Sequence, residues 1–307
     1  MPSKNRSAGR NVFFVLDPNL DKIRGGLCAG PIYSEADFLS MLSIVIKAPE
    51  DGSFNVYHKS SDEQVLPTDN ILEHGTYVIR PLRIGAALEI TEERCYTRTV
   101  SLQSSAEEDQ FRDPVRERDK MCVVTGTICY GAMINQWTGF EAAHIIPPGL
   151  EDVFLQQGLS TGVLEDGVHS PKNGLLLGTD LQKQFDQYHF AINPFNSGRA
   201  QKNWPFLAQC TQLTSIQLQS KYSRLRRLTL QAVCRDENNP HCISVPLLWW
   251  HFKQAVLANM RGAGEPIFED DFPPGTDQMG EILQGPMAKE RMEFELANRL
   301  HSFNNGS

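Results

Sequence analysis

Four short stretches decide how this chain is read: Asp119-Lys-Met-Cys-Val-Val-Thr-Gly126, Phe140-Glu-Ala-Ala-His-Ile-Ile-Pro147, Ser170-Pro-Lys-Asn-Gly-Leu-Leu-Leu177 and Asp180-Leu-Gln-Lys-Gln-Phe-Asp186. In order they give a Cys-x-x-Thr-Gly turn, a strand ending in His144, an Asn-Gly pair opening a second strand, and a short polar helix. Asn173-Gly174 is also good turn chemistry, since Asn bonds its own backbone and Gly tolerates unusual dihedrals. Thr179-Asp-Leu-Gln182 reads as a capping box, with Thr179 at the N-cap and Gln182 three residues on, reaching back to the Thr179 amide. Asp186 follows one turn later on the same helical face as Gln182.

Outward from this centre the sequence divides into segments. Residues 1–10 are polar and basic, without an apolar stretch behind them, which argues against a secretory signal and for a disordered terminus. Residues 11–84 read as a small α+β unit. Asn11–Leu16, Phe54–Tyr57 and Tyr77–Arg80 are strand-like, and Glu35–Ile46 sets Phe38, Leu42 and Val45 or Ile46 on one helical face behind an N-cap Ser34. That order is compatible with a ubiquitin-like β-grasp, a unit that more often docks a partner or packs than catalyses. Residues 85–112 form a transition, with Gln103–Gln110 as its polar loop. The motif region occupies 113–200. Beyond it, 201–303 hold an alternating strand near 223–233, an apolar helix opened by Pro246, and a closing helix from Met287 to Phe303. In the Pro246 helix, Leu248, Phe252, Ala255 and Asn259 or Met260 are expected to face the core.

Composition narrows the classes. Thirty-seven acidic against twenty-nine basic residues give a net charge of −8, so the whole chain does not attract nucleic acid and binding must come from local patches. Arg112, Arg116, Arg118 and Lys120 form one such patch, and Lys221, Arg224, Arg226 and Arg227 another; a solvated face explains either cluster alone. No apolar run approaches a membrane span. Seven scattered cysteines suit a reducing compartment, so the expected setting is intracellular, cytoplasmic or nuclear. Cys122 with Cys129, and Cys234 with His241 and Cys242, have poor zinc spacing and read as thiols.

The four stretches resemble the HNH nuclease family in the version common in fungal proteins, whose core is a β-hairpin and a helix around one metal ion. The C-terminal Trp-His-Phe helix, Gly-Glu-Pro loop and Met-Glu-Phe-Glu-Leu helix extend the resemblance over roughly 110–300. It implies an α+β fold, with an HNH-type ββα-metal core embedded in a larger mixed domain behind the β-grasp-like unit. It also implies metal-assisted hydrolysis of phosphodiester bonds in DNA with Mg²⁺ or Mn²⁺. By position His144 would be the general base, since a neutral imidazole takes a water proton near pH 7 without strong tuning. Asn173 would be catalytic as a metal ligand or as the residue that holds the loop presenting His144. Gln182 stands where the family usually carries its last His, and Ala143 where many members keep an Asp. The metal set implied is therefore Asn173, Gln182 and Asp186, a weak one for a hard cation. Glu141, Asp180, His189 and, better placed by position, His169 are further candidates. Arg116, Arg118 and Lys120 would contact phosphates. Two other readings compete: an inactive HNH fold kept as a binding or scaffold protein, and a non-nucleolytic enzyme that reuses the pocket for a small molecule.

Overall fold

The computed structural model describes residues 7, 9–31, 33–47, 53–83, 85–96, 106–151, 155, 167–194, 212–215, 239–262, 264, 277, 279–280 and 283. The second basic cluster at 221–227, the strand near 223–233 and the closing helix from Met287 lie outside the described residues, as do Cys210 and Cys234.

The N-terminal unit is built on β1 (Val12–Leu16), whose Val12, Phe14 and Leu16 are buried. β1 pairs antiparallel with β2 (Asn19–Leu27) and parallel with β5 (Gly75–Pro81), and β5 pairs antiparallel with β4 (Phe54–His58). The sheet order is β2-β1-β5-β4, with its one parallel pair at the centre. Helix α1 (Glu35–Val45) crosses it. The Ser34 hydroxyl accepts from the Asp37 amide at 3.1 Å while the Asp37 carboxylate accepts from the Ser34 amide at 3.0 Å, satisfying two amides that a helix start leaves unpaired. Phe38, Leu42 and Val45 bury fully beneath the sheet, so the face read from spacing is the face that packs. A two-stranded ladder of β3 (Ile46–Lys47) and β6 (Glu89–Ile90) continues from the helix.

Two segments are more ordered than their composition suggests. Arg10, at the end of the basic arm, donates to the backbone carbonyls of Asn259 and Gly262. Residues 106–110, part of the expected Gln103–Gln110 loop, are instead the start of α2 (Ala106–Asp119), which includes Pro114. Phe111, Val115 and Arg118 of α2, spaced at i, i+4 and i+7, all turn inward and are buried.

The motif region is a hairpin between two helices. β7 (Phe140–His144) pairs antiparallel with β8 (Gly174–Gly178), placing His144 opposite Gly174 and Ala143 opposite Leu175. Alternation then assigns the faces. Ala142 and Leu176 turn towards α2, in a small cluster with Phe111, Val115, Trp137 and Phe140. Ala143, Leu175 and Leu177 turn the other way, onto Leu181 and Phe185 of α3 (Thr179–Asp186). Gly174 is required by space rather than by dihedral: a Cβ there would lie 2.5 Å from Val115 and 2.7 Å from Phe111. β9 (Phe190–Asn193) follows α3 and pairs with β10 (Gln212–Ser215).

One helix joins the halves. α4 (Val245–Met260) buries Leu247, Leu248 and Trp250 in the hairpin's cluster, and Phe252, Ala255, Val256 and Met260 in that of the N-terminal sheet. A helix apolar on every side is stable only when surrounded, which is how α4 lies. Gln254 accepts from the Tyr96 amide at 2.8 Å, and Arg261 donates to the carbonyls of Thr91 and Glu93, so part of the transition segment is strapped along it. The described residues thus form a mixed α+β structure with several small sheets. Among them no helix is long and apolar enough to cross a membrane.

Candidate functional site

His144 ends β7, and alternation sends its ring to the α2 face. There it stacks on Phe111, with ring centroids 3.6 Å apart and planes within 10°. Fully burying a phenylalanine contributes about 1.5–3 kcal/mol, so Phe111 is a firm floor under the imidazole. His169, from the loop before β8, stands edge-on to His144 with centroids 5.3 Å apart. Two imidazoles and an aromatic plate therefore share one corner, at the end of the hairpin where β7 stops and β8 begins.

Asn173 explains why that corner exists. Its side chain is fully buried. Its Oδ1 accepts from the Ile146 amide at 2.9 Å, and its Nδ2 donates to the carbonyls of Ile146 and Val168, each at 2.8 Å. Ile146 lies two residues past His144, and Val168 directly precedes His169. One amide side chain thus clamps the chain beyond the first imidazole to the chain ahead of the second. Only a group carrying both an acceptor and two donors can do this, which selects Asn or Gln over Asp. Of the two roles open to Asn173, loop ordering is the one its hydrogen bonds describe.

The other expected residues are distributed differently. Gln182 and Asp186 lie half-buried on α3, which docks on the opposite face of the hairpin from the one where His144 stacks. The expected capping box is not formed. Gly178 is the N-cap, without a side-chain bond, and the Thr179 amide donates instead to the Gly139 carbonyl at 3.1 Å. The hairpin thereby claims the amide that Gln182 was expected to reach. Arg118 is internal and not a phosphate contact. Its Nε and Nη2 grip the Asp119 carboxylate at 2.5 and 2.7 Å, and its guanidinium also donates to the carbonyls of Pro171, Gly174 and His241. Asp119 in turn accepts from the Leu176 amide at 2.9 Å. This buried pair welds α2 to β8 and to the entry of α4. Arg116 stays half-buried, its guanidinium 5.2 Å over the Trp137 ring, and Lys120 is exposed where the helix ends. Cys122 is buried, its Sγ accepting from the Thr125 amide within the turn, and Cys129 is buried as well.

Sequence reasoning missed Phe111 and Asp119. The signal for Phe111 was the i, i+4, i+7 series it opens on α2, hidden by Pro114, whose presence reads as a helix boundary; Asp119, one residue past that series, carried no signal of its own.

The donor chemistry tests the expected cation. The position ahead of His144 that turns to α3 is the Ala143 methyl, packed among Leu175, Leu177, Leu181 and Phe185. The Asn173 oxygen is engaged by a backbone amide. Among the described residues, no three His, Cys, Asp or Glu side chains gather where they could hold a metal ion. A hard divalent cation needs several oxygen donors around one point, and this set does not fit one.

Comparison with known proteins supplies the remaining facts. A family model described as HNH endonuclease matches residues 122–193, a narrower span than the 110–300 over which the sequence resembles such proteins. A second model, for a domain of unknown function (DUF8573), matches residues 9–83. No curated protein and no solved structure matches the chain.

Proposed function

Starting from an HNH endonuclease domain at residues 122–193, we propose that this protein is a nuclease hydrolysing phosphodiester bonds in DNA at the His144 corner. The observation that carries the reading is the Asn173 clamp, which holds His144 and His169 side by side. In the proposed reaction the neutral His144 imidazole removes a proton from water as the water oxygen bonds to phosphorus. The bond from phosphorus to the leaving oxygen breaks, and protonated His169 supplies that oxygen's proton. Phe111 fixes the plane of His144, and general base catalysis of this kind contributes about 10²–10⁴ in rate. Arg116 and Lys120 bind flanking phosphates, giving affinity without sequence choice. Family members are generally metal-dependent, so Mg²⁺ or Mn²⁺ is the cation to supply. Because the donor set does not fit one, no step above passes through it.

The strand order of the N-terminal sheet, with its central parallel pair and crossing helix, supports reading residues 11–84 as a β-grasp-like unit; a protein partner is the occupant we propose for it. A specific observation also favours a second reading of the core. The apolar packing of Ala143 against α3 is what an HNH fold retained as a scaffold would show. Plasmid cleavage separates the two, using wild type, His144→Ala, His169→Ala and Gln182→His with EDTA, Mg²⁺ or Mn²⁺. The nuclease reading expects cleavage by wild type and a loss of about 10²-fold or more in both alanine variants. An inert wild type beside an active Gln182→His would assign a disabled enzyme. Inertness in all four would leave the scaffold. Equal cleavage in all four would mark a contaminant and overturn the assignment of these imidazoles.

A further inference from the structure

We propose that residues 128–134 form a preformed apolar platform for the unpaired bases of a nucleic-acid strand held at the His144 corner; the inference rests on the nuclease reading above. Tyr130, Met133 and Ile134 lie on one short 3-10 turn and are 85, 95 and 70% exposed, with Ile128 beside them half out in solvent. Apolar groups this bare, adjacent in sequence and space, mark an interaction surface far more often than isolated exposed residues do.

The platform is rigid from within. The Gln136 amide donates to the Gly131 carbonyl at 2.8 Å, and Asn135 closes the turn in the left-handed region at φ 55°. Asn135 also accepts from the Trp137 indole at 2.8 Å, and the Cys129 thiol, buried beneath, donates to the Gln136 carbonyl. The Cys129 amide bonds the Lys120 carbonyl, and Met121 bridges to Ile128, so the base of the platform is tied to the end of α2. An exposed apolar turn braced by this many internal bonds is held ready for an occupant.

Three observations point to the occupant. First, residues 121–140 contain no charged side chain at all, although the chain carries a net charge of −8. This stretch therefore adds no carboxylate to oppose a phosphodiester strand. Second, the two ends of the platform meet cationic residues: Lys120 on one side, and on the other Trp137 with the Arg116 guanidinium over its ring. Aromatic faces beside backbone-binding cations are the recognition pattern for single strands, where bases stack and phosphates pair with Lys or Arg. Third, Trp137 belongs to the cluster that contains Phe111, on which His144 stacks. The platform is therefore continuous with the floor of the proposed catalytic corner.

The test is fluorescence anisotropy on the full chain in EDTA, which separates binding from cleavage. The probes are a short labelled oligonucleotide as single-stranded DNA, as single-stranded RNA, and as duplex DNA. Proteins are wild type, Tyr130→Phe, and the triple variant Tyr130→Ala, Met133→Ser, Ile134→Ser; thermal melting checks the fold, which changes at such exposed positions leave intact. Stacking on one aromatic residue corresponds to about 5- to 100-fold in affinity. The expected result is a loss of that size for single strands in the triple variant, unchanged duplex binding, and retention of affinity in Tyr130→Phe. The loss with either sugar supports the platform, and the two arms show which strand it takes. Equal single-strand affinity in wild type and triple variant would overturn the platform while leaving the nuclease reading standing. A wild type that binds none of the three probes would overturn both. A dimeric wild type that becomes monomeric in the triple variant, with nucleic-acid binding unchanged, would assign the surface to a second copy and overturn the platform.

Discussion

Replacing Asn173 with alanine removes three hydrogen bonds from a fully buried position and should be among the most damaging single changes in the motif region. The Ile146 amide loses its acceptor, and the carbonyls of Ile146 and Val168 each lose a donor. A buried donor left unpaired costs about 1–3 kcal/mol, and a carbonyl somewhat less because of its second lone pair. The three together, with the space vacated, come to about 3–5 kcal/mol. Asn173→Asp should be at least as costly. It keeps an acceptor for Ile146 but turns a second oxygen towards two carbonyl oxygens, and it buries a charge. Urea denaturation measures the stability, and hydrogen exchange at the Ile146 amide reports the clamp directly. The functional consequence is read in a double-mutant cycle. If Asn173 is what places His169 beside His144, His169→Ala should cost activity in the wild-type background and almost nothing further in Asn173→Ala. The reasoning is refuted if Asn173→Ala stays within about 0.5 kcal/mol of wild type. Additive effects on cleavage would show that the two imidazoles are placed by something else.

The buried Arg118–Asp119 pair gives a second expectation. Arg118→Met should destabilise by about 3–5 kcal/mol, because it leaves the Asp119 carboxylate buried with the Leu176 amide but without its cation. A denaturation midpoint equal to wild type would show that the charge finds water instead. Gly174→Ala should cost about 1–3 kcal/mol by overpacking, since its methyl would meet Val115 and Phe111 well inside contact distance. The same change should weaken cleavage by tilting Phe111 away from His144, and Gly174→Ala with wild-type melting and rate would deny that α2 closes on the hairpin.

Local chemistry was legible along the chain wherever one element carried its own signal. The Ser34 cap, the buried stripe of α1, the strand ending in His144 and the Asn-Gly that opens β8 follow from spacing and propensity over a few residues, which is the range over which sequence patterns act. The Thr179 cap failed for the same reason in reverse: its amide was claimed by Gly139, a partner in another element that no local pattern shows. Arg118 reads as one member of a basic run, yet the carbonyls of Pro171, Gly174 and His241 converge on it only when three distant segments meet. A basic residue near a motif looks the same in sequence whether it faces phosphate or backbone. The face of β7 was likewise decided by tertiary structure. Alternation says that Ala143 and His144 point apart, but only the docking of α2 on one side and α3 on the other makes the first a methyl in an apolar core and the second an imidazole on an aromatic plate. Sequence picked out the residues on which the proposed chemistry rests, because a His at a strand end and an Asn before a Gly are local facts. The fold determined what surrounds them, because burial and partner geometry belong to pairs of elements far apart in the chain.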